Sequence, residues 1–325
     1  MGFEVGFLGA GHMSEVHSEI LAADPRVSLC GFFDTDVAKS EALASRRGAK
    51  RITSLERLMD ECEAVYICTP NTTHYDLALQ AIGSGKHVFC EKPFALGIEP
   101  ARRLRHEAAK SGRIFQVGHN RRFAPVYKAL KNSIESGRIT PLSVHAKMNR
   151  GDLAEPPWIW DAAITGGFLY ETPVHMLDLM IFFFGEIEWV ETAARAHEHG
   201  QLDDFSILMG FKSGLFATLK SFGHASWHFP FERMEVFGHH STYETFEMER
   251  ISITQGLKGK TMTSDFSALP HGEKWGYAGE DALFIDALEG KSACAVTAED
   301  GFRSVELIEA CYQSARVGQR VFLPL

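Results

Sequence analysis

The sequence predicts a two-domain α/β protein in which a doubly wound parallel sheet is followed by a domain that contains antiparallel strands. Three observations predict it: the chain length, a strand–helix alternation in the first third, and a change of period beyond about residue 185. A chain of 325 residues with 45% hydrophobic content exceeds the size of a typical single core, because such cores rarely grow past roughly 250–300 residues. We therefore expect two cores, with the boundary near residues 120–125.

Up to about residue 120, short apolar runs alternate with helical patterns. The runs are EVGFLG, VSLCGFF, AVYICTP, KHVFCEKP and RIFQVGH. Apolar residues at helical spacing separate them, as at Met13, Val16 and Ile20 and later at Tyr75, Leu79 and Ile82. Buried strands that alternate with helices are typical of a parallel, doubly wound sheet.

Beyond about residue 185 the pattern changes to strict alternation. In DFSILMGFKSGLFATLKSFG, alternating apolar residues precede the turn sequence Lys212-Ser213-Gly214, which predicts an antiparallel hairpin. MEVFGHHSTYETF and RISITQ repeat the strand-like pattern, and DALFIDALEG and AEDGFRSVELIEACYQSAR return to helical spacing.

Composition and charge exclude several classes of protein. The formal net charge is −9, whereas nucleic-acid binding needs clustered excess Lys and Arg, so we expect no nucleic-acid partner. The six cysteines form no C-x-x-C pair and are interpreted as reduced residues of a cytoplasmic protein. The longest apolar run, MLDLMIFFFG, contains Asp178 and is too short to span a bilayer. We expect no membrane association.

The first strand leads into the glycine-containing sequence Gly9-Ala10-Gly11-His12-Met13-Ser14. The first two glycines of the dinucleotide-binding pattern G-x-G-x-x-G are present, and Ser14 occupies the third position. Gly9 permits a tight turn, Gly11 lets a diphosphate approach the backbone, and the helix that follows offers N–H donors. A plain glycine-rich turn is the alternative interpretation.

Asp34 ends the second predicted strand, where an acidic residue binds the adenosine ribose in such domains. A carboxylate there repels a 2′-phosphate, and Asp36 adds negative charge, so the sequence favours NAD over NADP. The alternative role for Asp34 is that of an N-cap for the next helix. Thr69, Pro70 and Asn71 follow another strand, at the edge where open parallel sheets bind ligands.

The stretch GGFLYETPVHMLD places Glu171, His175 and Asp178 at spacings of four and three residues. On one helix, these spacings would bring the three side chains to one face. Such a face belongs either to a capped helix end or to a site that handles protons.

CEKPFAL at residues 90–96 and GHNRRFAP at residues 118–125, taken with the glycine motif, complete a recognisable set. The chain resembles the glucose–fructose oxidoreductase / inositol dehydrogenase / MocA (Gfo/Idh/MocA) family over essentially its whole length. The resemblance implies an N-terminal Rossmann domain and a C-terminal α/β domain built on a large, mostly antiparallel open sheet. It also implies hydride transfer between NAD(P) and a sugar, polyol or related alcohol.

The family's E-K-P lysine corresponds to Lys92, and its G-G-G-x-L-x-D-x-G-x-H-x-x-D pattern corresponds to residues 166–178. His175 and Asp178 match that pattern directly. This chain departs from it at Phe168, Glu171 and Pro173. Pro173 leaves two possibilities: a helix that begins there with Thr172 as its cap, or a kink in a helix begun earlier. In the first case Glu171 lies outside the helix.

These motifs assign the predicted site. His175 is expected to act as the general base, because an imidazole has an unperturbed pKa near 6.5. Lys92 would stabilise the developing alkoxide, and Glu171 would either orient the imidazole or hold a neighbouring substrate hydroxyl. Asp178 is assigned a structural role. The predicted cofactor-binding residues are Gly9, Gly11, His12, Met13, Asp34, Thr69, Pro70, Asn71, His74, Glu91 and Lys92.

We predict residues 1–121 as an NAD-binding Rossmann domain and residues 122–325 as a substrate-binding and oligomerisation domain, with the late helices as candidates for packing back on the first. The resemblance implies a homodimer or homotetramer assembled through the open sheet. Two other functions stay open: a glycosidase that retains NAD and uses transient oxidation, and a non-catalytic regulatory protein that senses the cofactor.

Other residues that could carry chemistry are interpreted as structural. We predict no metal site: His197, His199, His239 and His240 are expected on the surface, because they lack the partner spacing of a zinc site. Aromatic residues near the site could stack on a sugar, although most aromatics fill cores; they are Trp158, Trp160 and Tyr170. Arg121 and Arg122 either contact substrate or pair with carboxylates.

Overall fold

The computed structural model describes residues 2–152, 156–226 and 231–325. Its strands are β1 (Phe3–Leu8), β2 (Val27–Phe33), β3 (Lys50–Arg51), β4 (Ala64–Ile67), β5 (His87–Glu91), β6 (Phe115–Gly118), β7 (Ser143–Met148), β8 (Ile187–Arg195), β9 (Asp204–Phe211), β10 (Phe216–Phe222), β11 (Glu232–Gly238), β12 (Ser241–Phe246), β13 (Arg250–Gln255), β14 (Thr261–Asp265) and β15 (Val321–Phe322).

The α-helices are α1 (His12–Ala22), α2 (Val37–Arg47), α3 (Leu55–Glu61), α4 (His74–Gly83), α5 (Ile98–Ser111), α6 (Pro125–Glu135), α7 (Ala162–Thr165), α8 (Phe168–Glu171), α9 (Val174–Phe184), α10 (His271–Lys274), α11 (Tyr277–Leu288) and α12 (Ala298–Val317).

The chain divides into two units. Unit 1 contains residues 1–120 and 277–302, and unit 2 contains residues 121–276 and 303–325. Unit 1 therefore draws on α11 and the start of α12 as well as on the N-terminal segment.

Unit 1 is built on a six-stranded sheet in the order β3-β2-β1-β4-β5-β6, with all neighbours parallel. One row of aromatic side chains crosses its centre: Phe32, Phe7, Tyr66 and Phe89 are in register on successive strands. Their ring centroids are 5.1, 5.0 and 4.4 Å apart, in stacked geometry. The predicted parallel sheet is confirmed. Its strands are continuous apolar runs in the sequence because both faces of such a sheet are buried.

Unit 2 is built on a nine-stranded sheet in the order β14-β13-β12-β11-β7-β10-β9-β8-β15. β7 and β10 are parallel, and the other neighbouring strands are antiparallel. The predicted hairpin is β9 and β10, with Gly214 at φ +87° in its turn. Alternate residues of β7, β10 and β11 are buried, so one face of the sheet packs on the core. The predicted mostly antiparallel sheet is confirmed.

Helix α1 was predicted from Met13, Val16 and Ile20, and it spans the predicted region. Its fully buried residues are different ones: Ser14, His17, Ser18 and Leu21. The helix thus turns small and polar side chains toward the sheet, and this change of face places an ionisable group, His17, in the interior.

Among the described residues, no helix is both long enough and apolar enough to cross a membrane. The six cysteines are all free. Cys30, Cys62, Cys90 and Cys311 are buried, and Cys68 and Cys294 are partly buried.

Candidate active site

The turn after β1 is built around Gly9. Its φ of +90° lies in the region that favours glycine, and a Cβ added there would lie 2.5 Å from the carbonyl oxygen of Cys68. The buried Ser14 hydroxyl donates a hydrogen bond to the Gly9 carbonyl at 2.7 Å. Serine is thus accommodated at the third motif position because its hydroxyl is satisfied by the turn itself.

Gly11 is the N-cap residue of α1 and adopts extended backbone angles. No atom lies within 4 Å of the position that a Cβ would take at Gly11. Its neighbours His12 and Met13 form the first two helical positions, His12 exposed and Met13 partly buried. The turn therefore leaves open space beside the backbone N–H groups of a helix N-terminus, where anions bind favourably.

Asp34 lies at the end of β2, next to the glycine turn. One carboxylate oxygen accepts a hydrogen bond from Ala10 N at 2.7 Å, and the other accepts one from Asp36 N at 2.7 Å. The N-cap of α2 is Asp36, whose carboxylate accepts from Ala38 N and Lys39 N. The capping alternative for Asp34 is therefore wrong, and its carboxylate is fixed beside the turn instead.

The loop after β4 is tied to the loop after β5 by His74. Its Nε2 lies 2.8 Å from the Thr69 carbonyl oxygen, and its Nδ1 lies 2.8 Å from the Pro93 carbonyl oxygen. The ring is 1% exposed, and burial lowers its pKa although both carbonyls oppose that change. Pro70 precedes, and Asn71 begins, the short helical turn before α4. His74 thus fixes the positions of two loops at the carboxyl edge of the sheet.

Lys92 follows the last residue of β5 and is partly buried. The preceding Glu91 is 5% exposed. One oxygen of its carboxylate accepts a hydrogen bond from Lys92 N at 3.1 Å, and the other lies 3.0 Å from Nε2 of His17. The backbone of Lys92 is therefore held by a buried carboxylate.

A buried polar network continues behind Glu91. His17 Nδ1 lies 2.9 Å from Asp281, which also accepts a hydrogen bond from the Tyr66 hydroxyl at 3.1 Å. Burial opposes the charged imidazole, but the Asp281 and Glu91 carboxylates outweigh it and raise the pKa of His17 well above its usual value. Burial also acts against charge on Glu91, yet His17 holds the pKa of that carboxyl below its ordinary value. The arrangement is a buried imidazolium between two carboxylates.

In unit 2, Glu171 ends α8 and His175 lies in the first turn of α9, with Thr172 and Pro173 between the helices. Of the two possibilities at Pro173, the structure shows the one in which Glu171 lies outside the helix that carries His175, with Pro173 rather than Thr172 as the N-cap. Pro173 lacks a backbone N–H, so the helical hydrogen bonding cannot run through it. His175 and Asp178, three residues apart on α9, do share a face, and they are 7% and 1% exposed.

Asp178 is paired with Arg122. The carboxylate accepts hydrogen bonds from Nε at 2.8 Å and Nη2 at 2.6 Å, and Ser304 Oγ donates to it at 3.2 Å. Arg121 Nε similarly donates to the buried Glu232 at 3.2 Å. Of the two possibilities for these arginines, the structure shows pairing with carboxylates.

Two of the three aromatic residues that lie near the candidate site in the sequence contact neighbouring side chains. Trp160 stacks with His199 and His224 at centroid distances of 4.5 and 4.8 Å. Tyr170 is buried and donates its hydroxyl to Glu309 at 2.7 Å. Trp158 is partly buried.

His197, His199, His239 and His240 are exposed, as predicted. His199 also belongs to a cluster that the sequence did not predict. One imidazole nitrogen of His199, one of His224 and a carboxylate oxygen of Asp152 lie within 4.8 Å of one another. The two His224 nitrogens lie 2.7 and 2.8 Å from Asp152 and Asp203 carboxylate oxygens. Although burial opposes charge, these carboxylates raise the pKa of His224, so its ring is held as part of an ion-pair cluster.

Sequence reasoning missed His17 and Asp281. Ser14, His17 and Ser18 do form a polar row at spacings of three and four residues, which could have indicated a buried polar face. Asp281 reaches His17 across 264 positions of the chain, and no local pattern predicts such a contact.

Comparison with known proteins settles the family. Residues 3–119 match the oxidoreductase family NAD-binding Rossmann fold, and residues 131–323 match the C-terminal alpha/beta domain of the same family. The chain belongs to the Gfo/Idh/MocA oxidoreductase family. It is accordingly an NAD(P)-dependent oxidoreductase.

Among the curated relatives of this Gfo/Idh/MocA chain is an inositol 2-dehydrogenase from Rhizobium meliloti, 29% identical and matched over 97% of each chain. A solved levoglucosan dehydrogenase in complex with NADH and levoglucosan superposes with a TM-score of 0.93 over 100% of both chains, at 20% identity. GenD2 from gentamicin A biosynthesis, solved in complex with NAD, has a TM-score of 0.80 and 26% identity over 100% of this chain and 97% of its own.

Proposed function

We propose that the protein is an NAD-dependent dehydrogenase that oxidises a secondary alcohol of a sugar or polyol. The observation that carries the proposal is the anchored Lys92, whose backbone N–H is held by Glu91 and, through it, by the buried His17. A lysine whose backbone is fixed directly after a strand of a nucleotide-binding sheet is suited to present its cation to a reacting centre. Relatives named inositol 2-dehydrogenase and myo-inositol 2-dehydrogenase support this substrate class.

The residues of unit 1 fit a dinucleotide. The space beside Gly11 accommodates a diphosphate at the N-terminus of α1, because a side chain there would occupy it. Asp34, fixed by Ala10 N, supplies acceptors for the ribose hydroxyls and repels a 2′-phosphate. On this ground we propose NAD rather than NADP. We assign contacts with the dinucleotide also to His12, Met13, Thr69, Pro70 and Asn71, and a supporting role to His74 and Glu91.

Removal of two hydrogens from an alcohol needs a hydride acceptor and a base. NAD⁺, when bound, would supply the acceptor for the hydride that leaves the carbinol carbon. His175 takes the hydroxyl proton, and Lys92 stabilises the negative charge that develops on the oxygen, so that the products are a ketone, NADH and a proton. Glu171 either orients the His175 imidazole or binds an adjacent hydroxyl of the substrate.

A homodimer or homotetramer assembled through the open sheet is part of the proposal. Phe216 and Phe237 both pair with Ser143 on the two sides of β7. They are 54% and 37% exposed, so these large apolar side chains lie in one row of the solvent-facing sheet surface. Such exposed apolar rows are typical of association surfaces. Light scattering of the purified protein measures the oligomeric state.

The experiment that tests the function is a screen of NAD⁺ and NADP⁺ reduction against sugars, inositols, amino sugars and sugar acids. Net NADH formation with at least one member is expected. Cofactor retention through purification with glycoside cleavage and no net NADH would select the NAD-retaining glycosidase instead. Cofactor binding without turnover of any class would select the regulatory function.

A further inference from the structure

Arg150 lies two residues after β7 and is fixed by its backbone. Its N–H donates to the Phe222 carbonyl at 2.9 Å, and its carbonyl accepts from Ala225 N at 2.9 Å. The residue is 3% exposed. A charged side chain is therefore anchored in the interior of unit 2 at the end of β7, and such charges are almost always paired.

The guanidinium of Arg150 has no such pairing among the described residues. Nε and Nη1 are fully buried and have no hydrogen-bond partner. The group is flanked by rings instead: its Cζ lies 4.3 Å from the Trp160 centroid and 5.3 Å from that of Phe168. Cation–π contact compensates only part of the hydration that a buried guanidinium loses. Burial accordingly lowers the pKa of Arg150, against the opposing charges of Glu171 and Asp152.

The surroundings connect Arg150 to the candidate reacting centre. Phe168 and Glu171 are the two ends of α8, and His175 follows four residues after Glu171. The negative charge of Glu171 acts on Arg150 and opposes the lowering of its pKa. Trp160, which contacts the Arg150 guanidinium, is itself stacked against the rings of His199 and His224.

We propose that Arg150 binds a carboxylate group of the substrate, so that the enzyme acts on sugar acids or polyol acids in preference to neutral sugars. This inference rests on the proposed function and deepens it. A guanidinium whose nitrogens lack acceptors matches a carboxylate in geometry and charge. A carboxylate carries one negative charge, which a single guanidinium balances, whereas a phosphate monoester carries close to two.

The test compares matched ligands in the presence of NADH: D-gluconate with D-glucitol, D-glucuronate with D-glucose, and glucose 6-phosphate as the phosphate arm. Calorimetry gives binding without turnover, and NAD⁺ reduction gives KM where turnover occurs. Wild-type protein is expected to bind the acids at least about tenfold more tightly than the neutral partners. Equal binding of acid and neutral partners would overturn the inference, and tighter Arg150-dependent binding of the phosphate would replace the carboxylate with a phosphate.

The variants are Arg150→Met and Arg150→Lys. For Arg150→Met the dissociation constant of the acid should rise by about 30-fold or more, with little change for the neutral partner, and Arg150→Lys should recover part of the loss. Arg320→Met is the matched control, because Arg320 also lies over a ring, with Cζ 3.5 Å from the Trp189 centroid, and should leave acid binding unchanged.

Stability separates binding from a purely structural role. Arg150→Met removes an unpaired buried charge, so its Tm should equal or exceed that of the wild type. A lower Tm together with unchanged acid preference would overturn the inference.

The inference and the proposed function can fail separately. Arg150-dependent acid binding without any NAD⁺ reduction would support the inference and refute the proposed function. Oxidation of neutral polyols with no acid preference would support the proposed function and refute the inference.

Discussion

Nε2 of His17 lies 3.0 Å from Oε1 of Glu91, the residue that immediately precedes Lys92. Asp281 engages the other nitrogen of the same ring. Two buried carboxylates thus share one imidazolium, and the segment carrying Lys92 is attached to that network by Lys92 N. The position of the candidate catalytic lysine therefore depends on groups that come from three separate parts of the chain.

The stability of the protein should fall as pH rises above about 6.5. His17 has a folded pKa raised well above its usual value, whereas the unfolded chain titrates near 6.5. Its stabilising contribution is complete below that pH and is lost as pH rises through the folded pKa, at up to about 1.4 kcal/mol per pH unit. Urea unfolding of the wild type and of His17→Gln/Asp281→Asn, from pH 5.5 to 9, measures it. A difference between the two proteins that stays flat or grows with pH would refute this assignment.

The two glycines of the turn should respond differently to alanine. In Gly11→Ala the added methyl group contacts no protein atom, so the Tm should stay near the wild-type value. The methyl group occupies the space proposed for the diphosphate, so the dissociation constant for NADH should rise about tenfold or more. Gly9→Ala adds strain at φ +90° and a contact 2.5 Å from a carbonyl oxygen, and should cost about 1–2 kcal/mol or more of stability. Thermal unfolding and calorimetry measure both quantities. Unchanged NADH affinity in Gly11→Ala would place the diphosphate elsewhere.

Cofactor preference should depend on Asp34 and not on Asp36. Asp34→Asn removes the negative charge beside the turn, so the preference for NADH over NADPH should narrow by about tenfold. Asp36→Asn removes an equal charge two residues away and retains a good N-cap for α2, which makes it the matched control. Calorimetry with both cofactors measures the ratio. Tighter binding of NADPH than NADH by the wild type would exclude the proposed role of Asp34.

The Arg122–Asp178 pair should be structural. Both side chains are nearly fully buried, so Asp178→Leu alone would leave Arg122 without its carboxylate and should lower the free energy of unfolding by about 3–5 kcal/mol. The double variant Arg122→Met/Asp178→Leu should lose less free energy of unfolding than the sum of the losses in Arg122→Met and Asp178→Leu. Denaturant unfolding of the four proteins measures this coupling. Additive effects would show that the two charges do not depend on each other.

Much of the fold could be predicted from local pattern. The apolar runs before and after the glycine turn form β1 and β2 of the parallel sheet. The alternating residues around Lys212-Ser213-Gly214 form the β9–β10 hairpin. Asp34 was singled out because its position after a strand is a local property. Hydrophobic periodicity predicted a strand correctly where the burial of that strand alone sets the spacing of its apolar residues.

What the sequence could not predict depends on contacts between distant elements. Nothing near residue 281 indicates that its carboxylate meets His17, and apolar spacing gave the wrong buried face for α1. The break between Glu171 and His175 depends on how the chain passes Pro173, for which the sequence allowed two conformations. Arg150 follows an ordinary alternating strand, so its unpaired burial is visible only in three dimensions.

The central claim is that Lys92 and His175 act on the same substrate hydroxyl, and steady-state and single-turnover kinetics of Lys92→Met and His175→Gln test it most directly. With a substrate from the screen, each variant is expected to lower kcat by about 10²–10⁴-fold, and the double variant should be little worse than the poorer single one. The NADH affinity of His175→Gln and the Tm of both single variants should stay close to wild type. Turnover by either single variant within about threefold of the wild type would contradict the account.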